Sequence, residues 1–180
     1  MNIRKIESVI KNPRIVFGIM ASSYYVNKYF RKRSKHYERN YASVLEEELA
    51  GLNYNVGAGE IARQLSVILQ NNLDISSVDV LIEQDENEIS TIYSTQDRVT
   101  NVRLDNPLFD VVLNADHPIV FKSHIETHHV LASGKNELNR LMDSTYSEAL
   151  IVLKEGRKIF GVILLGPKKL GNAFTDYDYE

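Results

Sequence analysis

The 180-residue chain contains no cysteine and no tryptophan. The absence of cysteine excludes disulfides, thiolate metal sites and thiol nucleophiles. A chain without cysteine points to a cytoplasmic protein, because disulfides are a feature of oxidising compartments. The remaining composition is ordinary for a globular protein, with 43% hydrophobic and 25% charged residues. This length is sufficient for one sizeable domain and an additional element.

Long hydrophobic runs are also missing. A membrane-spanning helix needs roughly 18 apolar residues, and the best candidate, residues 15–27, is shorter and contains Ser22, Ser23 and Asn27. No small-residue cleavage site follows a clean apolar core, which argues against a signal peptide. The sequence therefore predicts a cytoplasmic protein or the cytoplasmic part of a membrane-anchored protein.

Charge is distributed unevenly along the chain, although the net charge is only −3. Residues 1–40 hold ten Lys or Arg against two acids, whereas residues 41–180 hold 11 Lys or Arg against 22 acids. Such a split predicts a partner for the basic part. The acidic part is a poor candidate for binding nucleic acid, and no nucleic-acid partner is predicted.

Residues 1–54 are predicted to form an N-terminal helical segment with a signalling or juxtamembrane role, as one long helix or two stacked helices that end near Gly51. Apolar residues recur at three- and four-residue steps, and neither Pro nor Gly interrupts residues 19–50. The residues expected to pair two copies through this helix are Val26, Phe30, Tyr37 and Tyr41. A basic patch on the same segment consists of Lys28, Arg31, Lys32, Arg33, Lys35 and Arg39. It fits either an anionic membrane surface or a solvated helix face.

Residues 55–180 carry the pattern of an α+β domain. A helix from about Ala58 to Leu73 presents Ile61, Leu65 and Ile68 on an apolar face. The elements predicted after it are strands at 77–83 and 88–95, a short helix at 108–113 that starts at Asn106-Pro107, a strand at 118–122, a loop or distorted helix at 125–133 and a helix at 136–142. The expected architecture is a central antiparallel sheet of about five or six strands flanked by helices.

The last predicted strands form a β-hairpin. Two apolar runs, Ala149–Leu153 and Ile159–Leu165, flank a charged turn. Continuous apolar runs of this length predict strands that are buried on both faces. Downstream, Thr175 and Asp178 have the spacing of a helix N-cap followed by an acidic third position.

This ending resembles the closing signature of GAF domains. In that signature a strand with a Gly and a Leu-Gly-x-Lys end is followed by a Gly-containing loop and an aromatic-Thr-x-x-Asp helix start. The matching residues are Gly161, Leu165, Gly166, Lys168, Gly171, Phe174, Thr175 and Asp178. Leu170 departs from the signature, because Ser is usual there. The resemblance extends from about residue 55 to the end and implies a GAF/PAS-like fold.

The resemblance implies a regulatory sensor and dimerisation module of a larger bacterial signal-transduction protein. The resemblance also implies a homodimer in which the Ala58–Leu73 helix packs beside its copy through Ile61, Leu65 and Ile68. The catalytic or regulatory output is expected in a domain downstream. The helix that begins at Thr175 is unfinished at Glu180, which predicts that the chain is a fragment whose C-terminal helix is truncated.

A small ligand is expected under the loops of residues 105–135, because the corresponding loops roof the pocket of GAF-like domains. The candidate ligand-binding residues are Tyr93, Phe109, His117, Phe121, His124 and His128. The alternatives are that the aromatic residues complete the core and that the histidines are solvated. The ligand is not identified by the sequence. Covalent bilin attachment is excluded by the lack of cysteine, and the Asn-Lys, Phe and Asp-Glu pattern of cyclic-nucleotide-binding GAF domains is not reproduced.

No metal site and no catalytic site are predicted. His124 and His128 have helical spacing but no convincing acidic partner. Ser123, His124 and Asp116 lack the strand–turn–helix context of a nucleophile, so any catalysis is expected in the output domain. The alternative function is a ligand-free structural adaptor that only connects and dimerises.

Overall fold

The structure, a computed structural model, describes residues 47–85, 87–115, 119–170 and Phe174. The predicted N-terminal helix lies outside the described residues apart from its end, since residues 47–50 are helical and the helix ends at Gly51. The predicted contact residues Val26, Phe30, Tyr37 and Tyr41 and the whole basic patch also lie outside. The same holds for His117, Gly171, Thr175 and Asp178.

The described elements follow the predicted order closely. In chain order they are α1 (Ala58–Leu73), β1 (Val78–Asp85), β2 (Glu88–Ser94), β3 (Asn101–Arg103), α2 (Pro107–Asn114), β4 (Ile119–Phe121), α3 (Lys122–Ile125), a 3₁₀ helix (His129–Gly134), α4 (Lys135–Ser144), β5 (Ala149–Glu155) and β6 (Lys158–Leu165). The bounds predicted for α1 are confirmed, and so is the β5–β6 hairpin, although β5 extends two residues beyond its predicted run and β6 begins one residue earlier. The sequence does not predict β3. Only Val102 of its three residues is buried, so β3 has no apolar pattern to detect.

Local sequence signals account for where the helices begin and end. Asn106 caps α2 by accepting a hydrogen bond from the Leu108 N–H at 3.0 Å, and Pro107 occupies the first turn. Asp74 ends α1 in a left-handed conformation with φ 53°. Short polar residues tolerate this conformation better than most.

The six strands form one antiparallel sheet with the order β3-β2-β1-β6-β5-β4. The predicted α+β class and antiparallel sheet are therefore confirmed. Val78 of β1 pairs with Leu165 of β6, and Asp79 of β1 pairs with Ser94 of β2. Ala149 of β5 also pairs with Leu165. One end of the sheet therefore holds the first residues of β1 and β5 and the last residues of β2 and β6. We call it the exit end, because the chain leaves the sheet there after Leu165.

Each face of the sheet has its own apolar core. Val78, Val80 and Ile82 of β1 pack in the core that contains α1, whereas Leu81 packs in the core that contains α2 and α4. Alternate residues of a strand point to opposite faces, and β5 and β6 are buried on both faces as predicted. The domain therefore has three layers, with α1 on one side and α2, the 3₁₀ helix and α4 on the other.

The apolar residues of α1 are used inside the domain. Ile61 is 0% exposed and Leu65 is 3% exposed, and both belong to the core between α1 and the sheet, against which the half-buried Ile68 also packs. This revises the prediction for Ile61 and Leu65, since side chains buried in their own domain are unavailable to a second copy. The contact predicted for the half-buried Ile68 stays a prediction. The homodimer itself remains a prediction.

Candidate functional site

The predicted ligand residues Phe121 and His124 lie together at the end of β4. Their rings meet edge to face with centroids 5.7 Å apart. Phe174 adds a third ring, with its centroid 5.6 Å from that of Phe121, and the Lys168 Nζ lies 5.5 Å from the Phe174 centroid. Phe121 is only 7% exposed. These contacts fill the space around Phe121 with the protein's own side chains.

The other predicted ligand residues are not brought to this cluster. Tyr93 is half-buried against the same core, but it lies on β2, four strands from β4 and so about 19 Å away across the sheet. Phe109 is 2% exposed in the core on the opposite face. The structure therefore does not collect Tyr93, Phe109 and Phe121 around one ligand.

The described histidines of residues 105–135, the loops predicted to cover a ligand, are near the surface. His128 and His129 are exposed and stack with ring centroids 5.6 Å apart and planes 5° apart. His124 is half-buried beside Phe121. Among the residues that the structure describes, no group of three or more His, Asp or Glu side chains is arranged to hold a metal ion.

The roof segment, residues 122–135, is held by ion pairs from its first residues to both ends of α4. Lys122 Nζ lies 2.8 Å from Asp143 Oδ1, and the hydrogen bond to Asp143 raises the pKa of Lys122. At the start of α4, Lys135 forms an ion pair with Glu126, and this hydrogen bond lowers the pKa of the Glu126 carboxyl. Lys122 and Glu126 of the roof segment are thus both held against α4.

Packing also holds the roof segment against α2. A Cβ on Gly134 would stand 2.7 Å from Val111 Cγ2 and 3.3 Å from the Leu108 Cα. The 3₁₀ helix can therefore approach α2 this closely only with glycine at its end.

A buried polar cluster lies at the exit end, at the start of β1. Asp79 is 2% exposed and accepts a hydrogen bond from Ser94 Oγ at 2.6 Å. Arg98 Nε lies 3.1 Å from Asp79 Oδ2, and its Nη2 donates to Ser77 Oγ at 3.1 Å. The buried Nε has no hydrogen bond, so its link to Asp79 is an ion pair whose N–H is not aimed at the oxygen.

This cluster also positions the loop between β2 and β3. Ser94 Oγ accepts hydrogen bonds from the backbone N–H groups of Gln96 and Arg98 at 3.1 and 3.0 Å. The sequence does contain a signal for Asp79, which is a single acid within the apolar run of β1. Its partner Arg98 follows 19 residues later and could not be identified from spacing.

The C-terminal end of α1 bonds to both segments that flank the domain. Asn72 Nδ2 donates to Glu48 Oε2 at 2.7 Å, in the incoming segment. The carbonyl oxygen of Asp74 accepts the Lys169 N–H at 2.8 Å, in the outgoing segment. Leu49 anchors the incoming segment further, because it is buried in the core beside α1. Two residues at the C-terminal end of α1 therefore contact both the segment that precedes the domain in sequence and the segment that follows it.

None of the described helices is long and apolar enough to cross a membrane. Comparisons of the chain with family models, curated proteins and solved structures give no match. The resemblance to GAF domains therefore stays a prediction from the sequence.

Proposed function

We propose that this chain is a regulatory module of a larger signal-transduction protein, where it couples an N-terminal helical segment to an output region downstream. The observation that carries the proposal is the bonding of both flanking segments to the end of α1, through Asn72 and Asp74. A shift of the incoming segment would act directly on the helix end that holds the outgoing segment.

The proposed mechanism is a population shift between two packings of these segments. A ligand or partner changes such an equilibrium only if it binds one packing more tightly than the other. The buried anchor Leu49 and the surface bond from Asn72 to Glu48 are the contacts expected to differ between the packings. In this proposal the domain is not itself an enzyme, and a homodimer is formed through a surface other than Ile61 and Leu65.

A ligand-free adaptor is the second candidate, and a specific observation favours it. Tyr93, Phe109 and Phe121 lie in separate parts of the two cores. The space next to Phe121 is occupied by His124 and Phe174. Small-molecule sites usually combine an apolar cavity with a few converging polar groups, and these residues do not converge. The order of elements from α1 to β6 agrees with what the GAF resemblance implies, and it supports either candidate.

Native mass spectrometry of the purified full chain, beside a denaturing spectrum of the same sample, tests both candidates. A dimer that carries an additional non-covalent mass would support the sensor and would identify the ligand class. A dimer of bare chains would favour the adaptor. A bare monomer would contradict the dimerisation part of the proposal.

A further inference from the structure

The outgoing segment, residues 166–169, pairs with the link between α1 and β1. The Gly166 N–H donates to the carbonyl oxygen of Ser77 at 2.8 Å, and the Ser76 N–H donates to the carbonyl oxygen of Pro167 at 2.8 Å. These bonds continue the antiparallel pairing of β6 with β1 past the exit end. The link between α1 and β1 therefore determines where the outgoing segment leaves the domain.

The backbone of Gly166 also packs against the side chain of Ser77. A Cβ on Gly166 would stand 3.1 Å from the Ser77 N and closer still to the Ser77 Oγ. Ser77 is 2% exposed, so its hydroxyl has little room to turn away in a close-packed interior. A shift of this hydroxyl is therefore expected to move the backbone of the outgoing segment.

The Ser77 hydroxyl is itself held by the loop between β2 and β3. Arg98 Nη2 donates to Ser77 Oγ at 3.1 Å. In contrast, Arg98 Nε is buried without a hydrogen bond and is attached to Asp79 by charge alone. A hydrogen bond is directional and fixes the position of its partner more closely than a Coulomb attraction does. The directional bond of this guanidinium therefore goes to the residue against which the outgoing segment packs.

The loop between β2 and β3 has a hydrogen-bonded base and an exposed tip. Ser94 Oγ accepts hydrogen bonds from the backbone N–H groups of Gln96 and Arg98. The residues at the tip, Gln96 and Asp97, are exposed. Because one hydroxyl holds the backbone on both sides of Asp97, a displacement of the tip is expected to carry Arg98 with it.

We propose that the β2–β3 loop is a second regulatory input of this module, and that it acts on the outgoing segment through Arg98 and Ser77. The inference rests on the proposed function, in which the outgoing segment carries the response, and it adds an input that is separate from the incoming segment. Coupling between two sites is reciprocal. A change in the outgoing segment must therefore also reach the loop.

Amide hydrogen exchange of the full chain, measured residue by residue by NMR, tests the coupling. Arg98→Met removes the bond to Ser77 and is expected to speed the exchange of the Gly166 N–H about threefold to tenfold, because the hydroxyl against which Gly166 packs is released. The matched control Arg103→Met removes an exposed arginine from β3 and should leave this exchange unchanged. If Arg98→Met does not fold, Asp79→Leu with Arg98→Met takes its place, since no unpaired charge then remains.

Ser77→Ala makes the route specific. It removes the hydroxyl and keeps the ion pair of Asp79 with Arg98. In the Ser77→Ala background, Arg98→Met is expected to change the exchange of the Gly166 N–H by less than about twofold, because both substitutions break the same bond. A larger effect in that background would place the coupling in the start of β1 and would overturn the proposal.

The Leu104 N–H is the reference, because it bonds to the Asn87 carbonyl oxygen at the opposite end of the sheet. Its exchange should stay the same in Arg98→Met. Equal acceleration at Leu104, equal acceleration in Arg103→Met, or no acceleration at Gly166 in Arg98→Met would each overturn the proposal.

Gly166→Ala tests the coupling from the other side. The added Cβ would meet the Ser77 hydroxyl, so the exchange of the Arg98 N–H is expected to rise about threefold or more, and not to rise in the Ser77→Ala background. An unchanged Arg98 N–H, or the same rise without the Ser77 hydroxyl, would contradict the coupling. None of these readouts depends on a ligand mass or on a dimer, so a failure here is distinguishable from a failure of the proposed function in native mass spectrometry.

Discussion

Asp79 and Arg98 form an ion pair at the start of the sheet, with 3.1 Å between Asp79 Oδ2 and Arg98 Nε. The carboxylate is 2% exposed and the guanidinium side chain is 18% exposed. The partner charge is needed to stabilise a charge in such a position, because water can solvate it only in part. The pair therefore fixes the loop between β2 and β3 on the first residues of β1.

Asp79→Ala is expected to lower the free energy of unfolding by about 3 kcal/mol, because it leaves the Arg98 charge unpaired in a largely buried place. Urea denaturation followed by circular dichroism measures this. The double variant Asp79→Leu with Arg98→Met should be more stable than Asp79→Ala, since no unpaired charge remains. Glu155→Ala, at an exposed position, is the control and should leave the midpoint close to wild type. A loss below about 1 kcal/mol in Asp79→Ala would contradict the structural role of the pair.

Gly161→Ala is expected to destabilise the domain by about 2–3 kcal/mol, as overpacking in a core does. A Cβ at this position would stand 2.2 Å from the carbonyl oxygen of Leu81 and 3.1 Å from the Ile82 Cα. Both contacts are with backbone, so β1 and β6 would have to move apart. Urea denaturation of the purified variant gives the value.

The matched control for that substitution is Gly156→Ala in the β5–β6 turn. Gly156 has φ +58°, and a Cβ there has no neighbour within 4 Å. The left-handed conformation alone should cost about 1 kcal/mol. Equal losses at Gly161 and Gly156 would show that the close approach of β1 and β6 is not what requires glycine at 161.

Glu60 should titrate far below an ordinary glutamate. Hydrogen bonds from Arg63 and then from Gln64 lower the pKa of the Glu60 carboxyl from 4.5 to about 2. Because the pKa is lowered by folding, this carboxylate favours the folded protein above about pH 4.5, and its contribution is lost as the pH falls through about 2. Carboxyl-carbon NMR measures the titration. Arg63→Met should move the pKa back towards its usual value, and an unchanged titration in that variant would contradict the assigned cause.

Asn72→Ala should loosen the incoming segment. The lost hydrogen bond to Glu48 is expected to raise the hydrogen-exchange rate of the Gly51 amide, which bonds to the Glu47 carbonyl, by roughly two- to fivefold. Exchange measured by mass spectrometry at residues 47–52 reports this. Asn71→Ala, at the exposed neighbouring position, is the control. If both variants exchange alike, the bond from Asn72 does not hold the segment.

Elements with a strong local pattern were predictable from the sequence. The apolar spacing of α1 gave bounds that the structure confirms, and the two continuous runs of the β5–β6 hairpin located both strands to within two residues. The cap of α2 was predictable because Asn106 and Pro107 act on adjacent backbone groups. The strand β3 was not, because its pairing with β2 is determined by the neighbouring strand and not by its own three residues.

The candidate site was much less predictable. Tyr93, Phe109 and Phe121 each have the character of pocket residues, yet they lie on different strands, helices and faces. Strand order and the alternation of a pleated strand decide which side chains meet, and neither is a property of the individual residues. For the same reason the sequence did not connect Asp79 with Arg98, or Asn72 with Glu48.

Local periodicity and capping residues were sufficient to predict an α+β domain with an antiparallel sheet, because these features act over a few neighbouring residues. The tertiary structure alone decided that Ile61 and Leu65 belong to the domain's own core and that Ser77, Asp79 and Arg98 meet at one end of the sheet. Such relationships depend on the order β3-β2-β1-β6-β5-β4. That order follows from the packing of the whole chain, which balances buried apolar area on both faces of the sheet, and no single segment encodes it.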